Sequence, residues 1–92
     1  MSGAPLALEF VPRIWRLARM EYDTVRQRHV LLYPEGAVLL NETGAAILKL
    51  CDGSHSVGEI VTILSERYET DVSADVTEYL TQMTDRELVR AG

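Results

Sequence analysis

From Arg16 to Tyr22 apolar and polar residues alternate. Ala18, Met20 and Tyr22 fall on one face, Arg19 and Glu21 on the other. A period of two is what a half-buried strand requires. Asp23 and Thr24 supply a turn. The next run, Gln27–Tyr33, ends in Val30-Leu31-Leu32-Tyr33, which is apolar and partly β-branched. Pro34-Glu35-Gly36 breaks it: Pro presets φ at the first corner of a turn and Gly tolerates positive φ just after. Ala37-Val38-Leu39-Leu40 is a second apolar run of strand length. Two such runs about a Pro/Gly turn predict an antiparallel hairpin. Residues 16–40 therefore read as a three-stranded meander.

The period changes at Asn41. Asn is a good helix N-cap, and the nearly all-apolar run Ala45–Cys51 follows, ended by Asp52-Gly53 with Gly53 as the left-handed terminal residue. Ser56 has Glu59 three places on, a capping box. Behind it Val57, Ile60, Val61, Leu64 and Tyr68 keep helical spacing, which predicts an amphipathic helix over about 57–68. Ser73 is placed to cap a last helix carrying Val76, Tyr79, Leu80 and Met83 on one row, and Leu88-Val89 form a short apolar tail. Three strands followed by three short helices make an α+β fold, and the last two helices resemble a winged helix-turn-helix module. Residues 1–12, with Gly3, Pro5 and Pro12, read as a flexible N-terminal arm. Residues 13–92 form one domain.

Composition narrows the chemistry. The 92 residues suffice for one domain, with little left to enclose a large substrate cavity. The net charge is −5, and it is unevenly spread. Residues 1–34 hold five arginines against three acids, residues 35–92 four bases against eleven acids. Cys51 is the single cysteine, so no internal disulfide forms, and no Cys/His spacing suggests zinc. No apolar run has the length of a membrane helix, and the start lacks the pattern of a signal peptide. The compartment expected is the cytoplasm.

No catalytic constellation emerges. His29 lies in a strand and His55 in a loop, neither in a known catalytic signature, and Cys51 ends an apolar helix face where a core role is expected. The carboxylates are scattered over helix surfaces rather than paired in a pocket. Gly36, Gly44, Gly53 and Gly58 are too far apart to cradle a phosphate. The winged-helix likeness raises an alternative, a small DNA-binding regulator. Charge argues against it: residues 73–87 carry Asp75, Glu78, Asp85 and Glu87 against Arg86 alone, and a polyanion repels such a helix.

Peptide binding fits better. Ala37–Leu40 ends the meander and so forms an edge with unpaired N–H and C=O groups, which an added peptide strand would satisfy. The row Val76, Tyr79, Leu80 and Met83 would wall a groove beside it if part of the row stays outside the core. Tyr79 and Met83 are the better candidates for that exposed share. The same edge and arm give two copies a way to pair or swap strands, so a homodimer stands beside the monomer as an expectation.

Two blocks carry a family likeness. The stretch Arg28-His29-Val30-Leu31-Leu32-Tyr33-Pro34-Glu35-Gly36, followed by Leu40-Asn41-Glu42-Thr43-Gly44-Ala45-Ala46-Ile47-Leu48-Lys49-Leu50-Cys51-Asp52-Gly53, resembles the PqqD family, pyrroloquinoline quinone biosynthesis protein D. Ser56–Val61 and Asp75-Val76…Tyr79-Leu80 continue the likeness, which spans roughly residues 13–90. One departure stands near the end, where the family pattern leads us to expect Gly and this chain has Glu87. The resemblance implies a peptide chaperone, a recognition element of ribosomally made, modified peptides, with no catalysis and no cofactor of its own. It implies that the precursor peptide PqqA binds as an added strand between the third strand and the third helix. The complex would then present it to PqqE, a radical SAM enzyme that cross-links a Glu and a Tyr of the peptide. Carried onto this chain, the peptide site comprises Val38, Leu39, Leu40, Val76, Tyr79, Leu80 and Met83.

Overall fold

The computed structural model describes residues 6–92. Its element order is β1 (Pro12–Ile14), β2 (Arg19–Asp23), β3 (Arg28–Tyr33), β4 (Gly36–Leu39), α1 (Glu42–Lys49), α2 (Val57–Tyr68), α3 (Ser73–Asp85) and β5 (Val89–Ala91). Strands β2, β3 and β4 form the expected antiparallel meander in that order. Its first turn is held by the Asp23 carboxylate, which accepts from the Val25 and Arg26 amides and from the Arg26 side chain. The second is the two-residue Pro34-Glu35 link between Tyr33 and Gly36, which pair across the hairpin.

The alternation puts Met20, Leu31 and Val38 in one line across the sheet. This inner face lies on the helices. Leu31, Leu40, Ile47, Leu48, Val57, Ile60, Leu64, Val76 and Leu80 form the centre of the core, each 0–2% exposed. The opposite face carries Arg19, Glu21 and Arg28 around Val30 and Leu32.

The helix starts follow local chemistry. The Asn41 side chain accepts from the Gly44 amide at 2.7 Å and caps α1. The Ser56–Glu59 capping box closes in both directions, at 2.8 and 3.1 Å. Gly53 takes the left-handed conformation, with φ +85°. Ser73 does not cap α3. It is the first helical residue, and its amide is taken by the Asp71 carboxylate at 2.9 Å. An acid two residues upstream offers the same short reach to the backbone as a Ser cap and holds a charge that Ser lacks.

Two features depart from the pattern read in the sequence. First, the tail after Leu88 is a strand: β5 pairs antiparallel with β1 through Pro12–Ala91, Arg13–Arg90 and Ile14–Val89. Second, the part of the arm that follows residue 5 is bonded to the domain. The carbonyls of Leu8 and Phe10 accept from Gly58 and Val57 at the start of α2, Pro12 accepts from Gly53, and Val11 accepts from Gly92. The first turn of a helix has unpaired amides, and this segment supplies partners for two of them. Residues 1–5 of the expected arm lie outside the described residues.

Candidate functional site

Strand β4 is one of the two edges of the meander, and β2 is the other. The backbone directions of β4 follow from one bond: the Leu40 amide donates to the His29 carbonyl at 3.0 Å. In an antiparallel ladder such bonded pairs alternate with unbonded ones. The register Leu31–Val38 and Tyr33–Gly36 therefore turns Gly36, Val38 and Leu40 toward β3. Ala37 and Leu39 turn their N–H and C=O groups outward, away from the sheet.

Helix α3 packs against α2 and β5 rather than against β4. It runs opposite in direction to β4, and two clefts mark the ends of the strip between them. At the start of β4, a cleft of about 510 Å³ is lined by Trp15, Tyr33, Glu35, Arg86, Glu87, Leu88 and Arg90. Here an Arg86 nitrogen lies 3.4 Å from the Tyr33 hydroxyl. Just beyond the end of β4, a cleft of about 300 Å³ is lined by Asn41, Thr43, Gly44, Ile47, Asp75, Glu78, Tyr79 and Gln82.

The expected site residues divide. Val38 is half-buried on the inner face and Leu39 is 49% exposed on the outer one. Tyr79 is half-buried and faces the second cleft. Leu40, Val76, Leu80 and Met83 are 2%, 0%, 0% and 2% exposed and belong to the core. The exposed share expected of Met83 is therefore absent: the residue is held between the helices and Leu88. The strip of α3 that borders the groove is the polar flank of the apolar row: Asp75, Glu78, Gln82 and Arg86, at i, i+3, i+7 and i+11 from Asp75. The same periodicity that marked the row contains this flank, so the signal for it was present in the sequence.

Tyr79 is the site's most unusual group. Its hydroxyl is buried and has no hydrogen-bond partner among the described residues. Burial pushes its phenol above the ordinary value. A methyl group at Gly44 would lie 3.0 Å from the Tyr79 ring carbon and hydroxyl and 3.2 Å from the Asn41 side-chain oxygen. A side chain there would push the ring or the cap aside by a few tenths of an ångström.

The other candidate groups do not assemble. His29 stacks edge-on against Tyr22 at 5.1 Å. The Cys51 thiol donates to the Ile47 carbonyl, and burial pushes it up to about 12, so its nucleophilic thiolate is scarce at neutral pH. Among the described residues no cluster of three His, Cys, Asp or Glu side chains is placed to hold a metal, and no helix is long and apolar enough to cross a membrane.

A three-stranded meander whose last strand is an open edge, packed on its inner face against the helices, defines a small α+β, winged-helix-like domain. The comparisons with known proteins place it more narrowly. Residues 28–89 match the family model of coenzyme PQQ synthesis protein D, PqqD, and the chain belongs to that family. It is 49% identical over 65 residues to the PqqA binding protein of Methylococcus capsulatus, covering 70% of each chain. It is 44% identical over 75 residues to that of Azotobacter vinelandii, covering 79% of this chain and 82% of the relative. The solution structure of the PqqD part of Methylobacterium extorquens PqqCD, described as a functional, stand-alone recognition element for ribosomally synthesized and post-translationally modified peptides, matches with a TM-score of 0.75 at 36% identity, covering 87% of this chain and 88% of that one. The crystal structure of PqqD from Xanthomonas campestris matches with a TM-score of 0.57 at 26% identity, covering 92% and 98%.

Proposed function

We propose that this chain is a peptide chaperone of pyrroloquinoline quinone biosynthesis. It binds the precursor peptide PqqA as a fourth strand along β4, beside α3, and presents it to the radical SAM enzyme PqqE. The observation that carries this reading is the outward N–H and C=O of Ala37 and Leu39 on an edge that α3 leaves open. An extended peptide satisfies those groups whatever its sequence, and side chains at alternate positions then meet Val38, Tyr79 and the polar flank of α3. Holding the leader this way makes delivery of the rest of the peptide nearly intramolecular. Relatives described as PqqA binding proteins and a recognition element of the same fold support it. The role is recognition, not catalysis.

The DNA-binding alternative is disfavoured by α3 itself, whose exposed residues include Asp75, Glu78 and Asp85. Leu39→Pro provides the test. Proline at an edge position whose N–H faces outward keeps the pairing with β3 and removes one outward donor. Calorimetry with PqqA should show its affinity falling at least about tenfold, the cost of a lost hydrogen bond and a blocked strand, while the amide NMR spectrum stays folded. Undiminished binding by a folded Leu39→Pro protein overturns strand addition. Absence of PqqA binding by the unaltered chain overturns the function.

A further inference from the structure

The groove is electrically polar along its length. At its Asn41 end stand the carboxylates of Asp75 and Glu78, with no basic residue in the lining and the unpartnered Tyr79 hydroxyl at its wall. At its other end stands Arg86. Glu35 shares that cleft but forms no ion pair with Arg86, and Arg90 is already engaged, stacked 4.8 Å over Trp15 and 3.5 Å from Glu87. Arg86 is thus a guanidinium that donates to the neutral Tyr33 hydroxyl and forms no ion pair among the described residues.

Resting on the reading of this groove as a peptide site, we infer that it selects the charge order of its peptide. The sheet is antiparallel throughout, and an antiparallel addition continues its better-bonded pairing. A peptide antiparallel to β4 enters at the Asn41 end and leaves at the Glu35 end. Its first contact is with carboxylates alone, and its last is with Arg86, which no carboxylate pairs although Glu35 shares the cleft. From Glu78 to Arg86 a helix rises about 12 Å, and a strand covers that distance in about four residues. Positions i and i+4 of a strand share one face, so both charged side chains point at α3. Position i+2 on that same face meets Val38. The recognised pattern, read from N to C, is a basic residue, any residue, an apolar residue, any residue, then an acidic residue.

Two twelve-residue peptides of identical composition test this, one with Lys-x-Leu-x-Glu at its centre and one with Glu-x-Leu-x-Lys. By fluorescence anisotropy at low salt the first should bind about tenfold more tightly, since the reversed order sets a carboxylate against Asp75 and Glu78 and an ammonium against Arg86. The double variant Glu78→Lys with Arg86→Glu should invert the preference, and both sites are exposed, so its fold is checked by amide NMR. If that variant unfolds, Glu78→Gln and Arg86→Gln should each narrow the ratio. Equal binding of the two orders by the unaltered chain, with both weakened by Leu39→Pro, overturns the polarity and keeps the groove. If neither peptide binds and PqqA does not bind either, the groove itself fails.

Discussion

At position 87 the sequence likeness leads us to expect glycine, and this chain has Glu87. The backbone there explains the preference. Helix α3 ends with the Glu87 amide bonded to the Thr84 carbonyl at 2.9 Å and the Leu88 amide to the Met83 carbonyl at 3.0 Å. That pair of bonds is a Schellman ending, and it puts the residue between in the left-handed region. Glu87 has φ +61°. The apolar contact that goes with such an ending is also present, as Leu88 and Met83 are both buried. A side chain in that conformation costs roughly 1–2 kcal/mol, offset in part by the extra entropy glycine loses on folding. The compensating contact, an exposed pair with Arg90 at 3.5 Å, is of a kind that contributes little. Glu87→Gly should therefore raise stability by roughly 0.5–1 kcal/mol. In urea the midpoint should move up with an unchanged slope. A lower midpoint would mean that the Arg90 pair outweighs the backbone strain.

The elements were legible in proportion to how local their causes are. Helix α2 begins and ends where its spacing and Ser56–Glu59 box predict. The hairpin of β3 and β4 follows from Pro34-Glu35-Gly36. The pairing of β1 with β5 was not legible, because it joins residues 12–14 to 89–91 and neither three-residue stretch carries a periodicity of its own. The groove was legible in part. An edge strand is implied by the order of a meander, so Leu39 and its neighbours could be placed. The apolar row of α3 says which residues lie on one face but not how deep that face sinks, and Val76, Leu80 and Met83 sank fully. The independence of α2 from the groove gives a check on this division. Its capping box satisfies two backbone amides, and neither Ser56 nor Glu59 lines the clefts beside β4. Ser56→Ala should cost about 1 kcal/mol of stability, within the range for lost N-caps, and leave affinity for PqqA unchanged. A loss of affinity at constant fold would show that α2 and the groove are coupled.

On the scale of the whole molecule, charge acts on two things at once. The net −5 disfavours compaction through self-repulsion, and this weakens as the pH falls toward the isoelectric point of about 4.9. Below that point a second effect takes over. Three carboxylates, exposed at Asp52 and Asp71 and half-buried at Asp23, hold loops together and titrate below their ordinary value. The first cause for Asp23 is the Arg26 amide, for Asp52 the Ser54 hydroxyl, and for Asp71 the Ser73 amide. A carboxyl whose folded value is depressed contributes stability above its unfolded value, about 3.9, and loses that contribution as the pH falls through the folded value. The loops concerned are the β2–β3 turn, the link after α1 and the start of α3, so protonation loosens the first hairpin of the sheet and both helix junctions together. The melting temperature should rise slightly from pH 7 to about 5 and then fall steeply below about 4. Replacing Asp23, Asp52 and Asp71 together with Asn, which still accepts a hydrogen bond but does not titrate, should lower stability at pH 7 and flatten the acid limb. Circular dichroism melts across that range measure both curves. An acid limb equally steep in the triple variant would assign acid unfolding to the scattered helix-surface carboxylates instead of the three loop anchors.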